Sequence, residues 1–274
     1  MQDLITILGP TACGKTAVAT LLAARLGRAE IISADSRQVF RGMDIGTGKD
    51  LGKYGHIPYH LIDIAEAGTK YSVFEFQRDF LQAYKNICSR ACIPILCGGT
   101  GLYIESVLRA YKLVEVPVNM ALRQELEGKS LEELTALLST YKRLHNTTDV
   151  DSCQRAIRAI EIEMAADVEN LQTDGESTLS SRTEVDGNGL VFGIQIDREE
   201  RRRKITARLK QRLEHGMIEE VKGLLDEGIP ADDLIYYGLE YKFVTEYLKG
   251  QTTYDEMFTR LDAIIFLCRQ RSKS

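Results

Sequence analysis

The chain has 274 residues, 44% of them hydrophobic and 27% charged, with a formal net charge of −5. That is an ordinary globular composition, enough for one large domain or one domain with an insert. No run approaches the roughly 18 apolar residues of a membrane span, and the acidic balance counts weakly against nucleic-acid binding, where local charge matters more than the total. The start, MQDLITILGP, lacks the basic region and cleavage site of a signal peptide. Six cysteines, at positions 13, 88, 92, 97, 153 and 268, include no C-x-x-C pair. A zinc site is therefore not expected and reduced cytoplasmic thiols are. Cys88 and Cys92, four apart, suit one helix face.

In chain order, the apolar run 4–8 (LITIL) leads directly into the Gly-rich stretch 9–16, GPTACGKT. A helix over 16–26 follows, closed by Gly27. A second strand is expected at 30–33 (EIIS), then the polar, Gly-rich segment 34–50, ADSRQVFRGMDIGTGKD. An ordered loop of that length after a strand is more often functional than idle. A third strand is expected at 57–64, a helix at 73–90, a fourth strand at 93–99 ending in the turn GGTG, and a helix at 102–111. This alternation implies a parallel sheet with ligands at the carboxyl ends of its strands. From 113 to about 170 the pattern is helical, and 170–189 is polar and rich in Gly, Ser and Thr, as in a loop. A strand at 190–196 and helices at 199–226, 238–249 and 253–271 complete the pattern. The expected fold is α/β: a P-loop NTPase-like parallel sheet flanked by helices, formed by 1–112 and 189–274, with a helical insertion domain at 113–188.

GPTACGKT fits the pattern G-x-x-x-x-G-K-[ST] between a strand and a helix, the context this loop requires. Gly9 and Gly14 permit backbone conformations that aim successive N–H groups at one anion, with Pro10, Thr11, Ala12 and Cys13 completing the loop. Lys15 adds a point charge, Thr16 offers a hydroxyl to Mg²⁺, and the following helix contributes its positive end. The loop specifies a phosphate or diphosphate with a metal, not a nucleotide. The acid that holds the Mg²⁺ water in nucleotide hydrolases is weakly represented. The strand IPILCGG ends in Cys97, Gly98 and Gly99, and Asp63 is an isolated candidate. Asp35, after the second strand, keeps a small-molecule kinase open.

The blocks GPTACGKT, IISADSRQVFRGMDIGTGK, PYHLIDI, YSVFEF, PILCGGTGLY and DSCQRAIRAIEI occur in this order. Together they resemble the tRNA dimethylallyltransferase (tRNA isopentenyltransferase) family from about residue 4 to 268, most weakly at 165–190. The resemblance implies transfer of a five-carbon group from dimethylallyl diphosphate to N6 of adenosine 37 in tRNAs reading U-initial codons. It implies Asp35 as general base for a poorly nucleophilic amine, a role typically worth ~10²–10⁴-fold. Lys15, Thr16 with Mg²⁺, the loop amides and Arg208 would stabilise the departing diphosphate. Thr11 and Thr100 would be hydroxyl contacts near the reacting groups. By the same resemblance Asp35, Ser36, Arg37, Gln38 and Thr100 lie at the target base. Arg123, Gln154, Arg155, Ala156, Ile157 and Arg158 line the path of the anticodon loop. Arg155 and Arg158 read by themselves as ordinary surface charge.

Residues 198–212 carry eight basic and two acidic side chains, a local net of +6, and Arg269, Arg271 and Lys273 add to it. Such a stripe suits phosphate contacts in RNA. The family continues into a basic, aromatic segment where this chain reads CRQRSKS, and YYGLEYKF (236–243) departs from the family's usual turn. Reduced tRNA affinity is therefore an expectation. An adenylate dimethylallyltransferase and a weakly active tRNA-binding paralogue are the alternatives. A cytoplasmic, monomeric protein with no membrane association is expected.

Overall fold

The computed structural model describes residues 3–113, 115–142, 150–172 and 189–268. The chain divides into two compact units, residues 1–111 with 183–274, and residues 112–182. The expected division was at 112/113 and 188/189. Arg269, Arg271, Lys273 and most of the 170–189 segment lie outside the described residues.

The first unit is built on a parallel sheet of five strands in the order β3-β2-β4-β1-β5: β1 (Ile5–Leu8), β2 (Ala29–Ala34), β3 (Tyr59–His60), β4 (Ile93–Gly98) and β5 (Leu190–Gly193). All six residues of β2 are buried, as in a strand covered on both faces. Alternation along the strands separates two cores. Ile31 and Ile95 pack with Ile7 and with Ala19 and Ala23 of helix α1 (Lys15–Leu26). Ile32 and Leu96 face Phe76 and Phe80 of α2 (Val73–Ser89) and Tyr103, Ile104 and Val107 of α3 (Gly101–Leu108). A capping box between Ser72 and Glu75 starts α2. At the carboxyl end of β4 a Cβ on Gly98 would lie 2.2 Å from the Ala34 carbonyl oxygen, so only glycine lets β4 approach β2 there.

A third core joins Val39, Phe40 and Met43 to α7 (Arg198–Glu214), α8 (Met217–Asp226), α9 (Ala231–Tyr236), α10 (Leu239–Leu248) and α11 (Tyr254–Cys268). In the second unit α4 (Met120–Leu126), α5 (Leu131–Tyr141) and α6 (Cys153–Gln172) enclose Leu122, Leu126, Leu134, Leu138, Ala156, Ala159 and Ile160. No helix among the described residues is long and apolar enough to cross a membrane.

Several expected elements are shorter or divided. The strand expected at 57–64 is confined to Tyr59–His60, because Leu61 and Asp63 take positive φ of 61° and 56° and turn the chain out of the sheet. The helix expected at 199–226 breaks at Gly216, whose φ of 98° ends α7 and starts α8. Helix α9 precedes the expected 238–249 helix, and β5 stops at Gly193 instead of 196. Helix α2 ends at Ser89, so Cys92 lies beyond it and does not share a helix face with Cys88.

In the second unit the buried Glu161 carboxylate accepts hydrogen bonds from Arg123 Nε (2.7 Å) and Nη2 (2.9 Å), from Arg158 Nη1 (2.8 Å) and from the Asn119 amide (3.2 Å). Burial alone would raise its pKa, but these donors together hold it below the ordinary 4.5. A carboxylate with a depressed folded-state pKa contributes stability above its unfolded value and loses it as pH falls through the folded one. Thermal unfolding of the chain is therefore expected to show an acid-induced loss from this unit beginning below about pH 4.5. Glu161→Gln is expected to abolish that component and to cost about 1–3 kcal/mol at pH 7, the arginines being partly solvated.

Candidate functional site

The phosphate loop joins β1 to α1. A Cβ on Gly9 would lie 2.8 Å from the Ile194 carbonyl oxygen, so the first glycine is required by close packing. Ala12 and Gly14 take φ of 64° and 91°, the left-handed conformations that curl the loop. Gly14 is the N-cap of α1 and brings no side chain to the first-turn N–H groups, which leaves them for an anion. Lys15 Nζ donates to the Pro10 carbonyl at 2.8 Å, so its ammonium folds over the loop.

The turns after β2 and β4 lie beside this loop. A Cβ on Gly99 would be 3.5 Å from the Gly9 oxygen and 3.6 Å from Lys15 Nζ. Thr100 Oγ1 accepts a hydrogen bond from the Ser36 amide at 3.0 Å and donates to Ser36 Oγ at 3.3 Å. The half-buried Asp35 accepts the Arg37 amide on Oδ1 at 3.0 Å, which fixes its carboxylate beside the strand end. Cys97, at the end of β4, is pushed up to about 12 by burial, against the opposing charge of Lys15. It stays a neutral thiol and supplies neither a nucleophile nor a metal-holding acid.

The long segment after Asp35 is held by one carboxylate. Glu220 of α8 accepts the amides of Asp44 (2.8 Å), Ile45 (2.6 Å) and Gly46 (3.0 Å) and the hydroxyl of Tyr241 (2.8 Å). Burial and the Glu220 charge push the Tyr241 phenol far up, so it remains a donor. The carbonyls this arrangement presents are used by two arginines of α7. Arg208 Nη2 donates to Gly48 O at 3.0 Å, and Arg212 Nη1 to Gly46 O at 3.1 Å. A Cβ on Gly48 would fall 1.9 Å from Arg208 Nη2 and 1.8 Å from Arg212 Nη2. A side chain here, besides straining the φ of 69°, would push both guanidiniums aside. Lys49, its side chain fully buried, pairs with Asp44 at 2.8 Å and with Asp63. Asp63 is thus the counter-ion of a buried lysine. A narrow cleft of about 10 Å³ separates Thr11 and Ala12 from Ile205, Arg208 and Arg212.

Asp35, Ser36, Arg37, Gln38, Thr100, the phosphate loop and Arg208 all lie in the first unit, around the carboxyl ends of β1, β2 and β4 and the cleft beside them. Gln38 bridges the strand to the loop, accepting from Ser33 Oγ at 3.5 Å and donating to Gly48 O at 3.4 Å. In the second unit Arg123 and Arg158 are committed to Glu161, Arg155 pairs with Asp151, and Gln154 is exposed. Ala156 is fully buried, and Ile157 packs against the same core, so Ala156 has a packing role instead of an exposed contact. The basic stripe 198–212 is divided by the helix. Arg201 is buried, with its Nε making no hydrogen bond, Arg208 and Arg212 turn to the loop, and Arg202 and Arg203 face solvent. Glu220, Tyr241 and Arg212 carry no sequence signal of a site. In MIEEVKGLLD, Glu220 reads as an exposed helical residue.

A parallel α/β sheet, an anion loop, a fixed carboxylate on the next strand end and arginines across the cleft define a phosphate-loop enzyme whose substrate carries a phosphate or diphosphate. The comparisons with known proteins make this particular. The family model described as IPP transferase matches residues 38–269. The chain is 61% identical over 267 residues to tRNA dimethylallyltransferase 2 of Bacteroides fragilis, covering 96% of this chain and 84% of that protein. It is 61% identical over 266 residues to tRNA dimethylallyltransferase 1 of Porphyromonas gingivalis, covering 96% and 85%. Among solved structures, the tRNA isopentenylpyrophosphate transferase of Bacillus halodurans matches with a TM-score of 0.68 at 31% identity, over 99% of this chain and 85% of that one. A eukaryotic dimethylallyltransferase acting on tRNA shares the fold, with a TM-score of 0.77 at 19% identity. The chain belongs to the IPP transferase family.

Glu220→Ala leaves three loop amides and the Tyr241 hydroxyl without their acceptor. It is expected to lower stability by about 1–3 kcal/mol and to weaken binding of inorganic diphosphate about tenfold or more, measured by calorimetry. Diphosphate binding at wild-type strength in a folded variant would show that the loop does not set the arginines.

Proposed function

We propose that the protein transfers the dimethylallyl group of dimethylallyl diphosphate to N6 of adenosine 37 in tRNA, beside the anticodon, and releases diphosphate. The observation that carries this reading is that the phosphate loop after β1 and Asp35 after β2 lie on either side of the end of β4, with the turns after β2 and β4 locked together by the Thr100–Ser36 hydrogen bonds. Such a site can hold a leaving diphosphate on one side and accept a proton on the other.

In this reading the N6 amine attacks the allylic carbon as the carbon–oxygen bond to the diphosphate breaks, with the bonding electrons leaving on that oxygen. Asp35 accepts the amine proton as the new bond forms, which keeps positive charge from accumulating on nitrogen. The loop amides, Lys15 and Arg208 meet charge that grows on the diphosphate, so they favour the transition state over the bound substrate. Thr11 lines the same cleft as Arg208.

No group of three or more His, Cys, Asp or Glu among the described residues could hold a metal ion by itself. The hard oxygen of the Thr16 hydroxyl, at the start of α1, suits Mg²⁺ that arrives with the diphosphate and keeps most of its water. When bound, the ion would neutralise charge on the leaving group. On the RNA side, Asp35, Ser36, Arg37, Gln38 and Thr100 are assigned to the target base, and Arg123, Gln154, Arg155 and Arg158 to the anticodon loop of tRNAs reading U-initial codons. A cytoplasmic monomer is part of the same proposal.

Incubation with dimethylallyl diphosphate, Mg²⁺ and unmodified tRNA is expected to yield N6-prenylated adenosine. Prenylation of AMP with no product on tRNA would assign the protein instead to the adenylate enzymes. Asp35→Asn is expected to lower kcat about 10²–10⁴-fold while the KM for tRNA changes little. A variant with wild-type turnover would remove Asp35 from the role of base.

A further inference from the structure

Tyr236 and Tyr237 end helix α9 and its cap, and they are treated oppositely by the fold. Tyr237 is 2% exposed, its ring 4.5 Å from that of Phe40 and its hydroxyl donating to Thr69 O at 2.6 Å. Tyr236 is 54% exposed. The buried neighbour fixes the backbone, so the exposed ring is presented from a rigid base. Its carbonyl oxygen accepts a hydrogen bond from Arg37 Nη1 at 3.2 Å. The Arg37 guanidinium carbon and Lys70 Nζ each lie 5.9 Å from the ring centroid. Neither cation forms an ion pair with a carboxylate among the described residues.

Two cations gathered at one exposed ring, without an acid to balance them, repel each other and attract an anion. The ring offers a π-face and the cations offer charge, which is the pairing that single-stranded nucleic acid requires: a base on the aromatic and a phosphate on the cations. The patch is tied directly to the reacting region. The Arg37 amide holds Asp35 at 3.0 Å, while the Arg37 side chain holds Tyr236. A nucleotide seated on Tyr236 is therefore a near neighbour of one whose amine is presented to Asp35.

We propose that Tyr236, flanked by Arg37 and Lys70, is a stacking platform for an unpaired RNA nucleotide adjacent to the reacting adenosine, with Lys70 taking its phosphate. This rests on the reading of Asp35 as the position of the target base. Tyr236 is a positioning residue in this scheme: it holds the loop open and touches no reacting atom.

The chain contains no tryptophan, so Tyr236→Trp places a single indole fluorophore on the platform. Its emission is expected to fall when an anticodon stem-loop RNA is added, and to stay unchanged with the paired stem alone. Tyr236→Ala is expected to raise the KM for tRNA about tenfold, with the KM for dimethylallyl diphosphate unchanged. Tyr236→Phe should match wild type and Tyr236→Leu should match alanine, because a π-face and not bulk is needed. Lys70→Ala should weaken tRNA binding and flatten its salt dependence, which Tyr236→Ala should leave as it is. Two results would overturn the platform alone: a Tyr236→Ala enzyme with wild-type KM for tRNA, or Y236W emission indifferent to the stem-loop. A wild-type enzyme inactive on tRNA but active on AMP would overturn the underlying reading as well, and that is seen without any variant.

Discussion

The site depends on a single carboxylate, that of Glu220 in α8. Glu220 gathers three consecutive amides and a tyrosine hydroxyl, and in doing so turns a Gly-rich segment into a rigid surface. Charge-assisted hydrogen bonds to backbone are stronger and shorter than neutral ones, and three on successive residues leave the segment little freedom. The carbonyls of Gly46 and Gly48 then become fixed acceptors, and the guanidiniums of Arg212 and Arg208 take their directions from them. A cation for a leaving diphosphate is useful only if it need not reorganise as charge develops. Arginine is suited to this, because its planar fork can hold a structural carbonyl with one N–H and present others.

The same segment solves a second problem of charge. The Lys49 side chain is wholly buried, and a lone ammonium there would cost far more than the fold could bear. Asp44 and Asp63 neutralise it, and Asp44 is also the first of the residues whose amides Glu220 holds. The floor of the site is thus a set of compensated charges, and above it stand the α1 amides, Lys15 and the arginines across the cleft, Arg212 also paired with Glu240 at 3.5 Å.

What the sequence disclosed followed the range of the interactions. The phosphate loop was legible because its function is local: two glycines, a lysine and a threonine within eight residues, between a strand and a helix. Asp35 was legible as a strand-end acid, and the parallel sheet from its alternating elements. Glu220 was not, since the amides it holds lie 174 to 176 residues away and its own neighbours describe only an amphipathic helix. The 57–64 strand was over-read because apolar content does not reveal the left-handed turns at Leu61 and Asp63. Arg123 and Arg158 show a different limit. Their charge is visible in sequence, but the buried Glu161 that holds both is not recognisable as buried. The platform residue Tyr236 was hidden in the same way, since the pair YY does not say which ring faces out.

The separation between the loop and its anchor also bears on how the protein is made. During synthesis the loop leaves the ribosome long before Glu220. At roughly 5–20 residues per second, the 176 positions between Asp44 and Glu220 correspond to about 9–35 s. For that interval β1 also lacks β5, its partner on one edge. Residues 112–182, which have a core of their own, emerge in the meantime. The phosphate loop is therefore translated early and completed late, so a nascent chain carries a recognisable anion loop for many seconds before it has the arginines to use it.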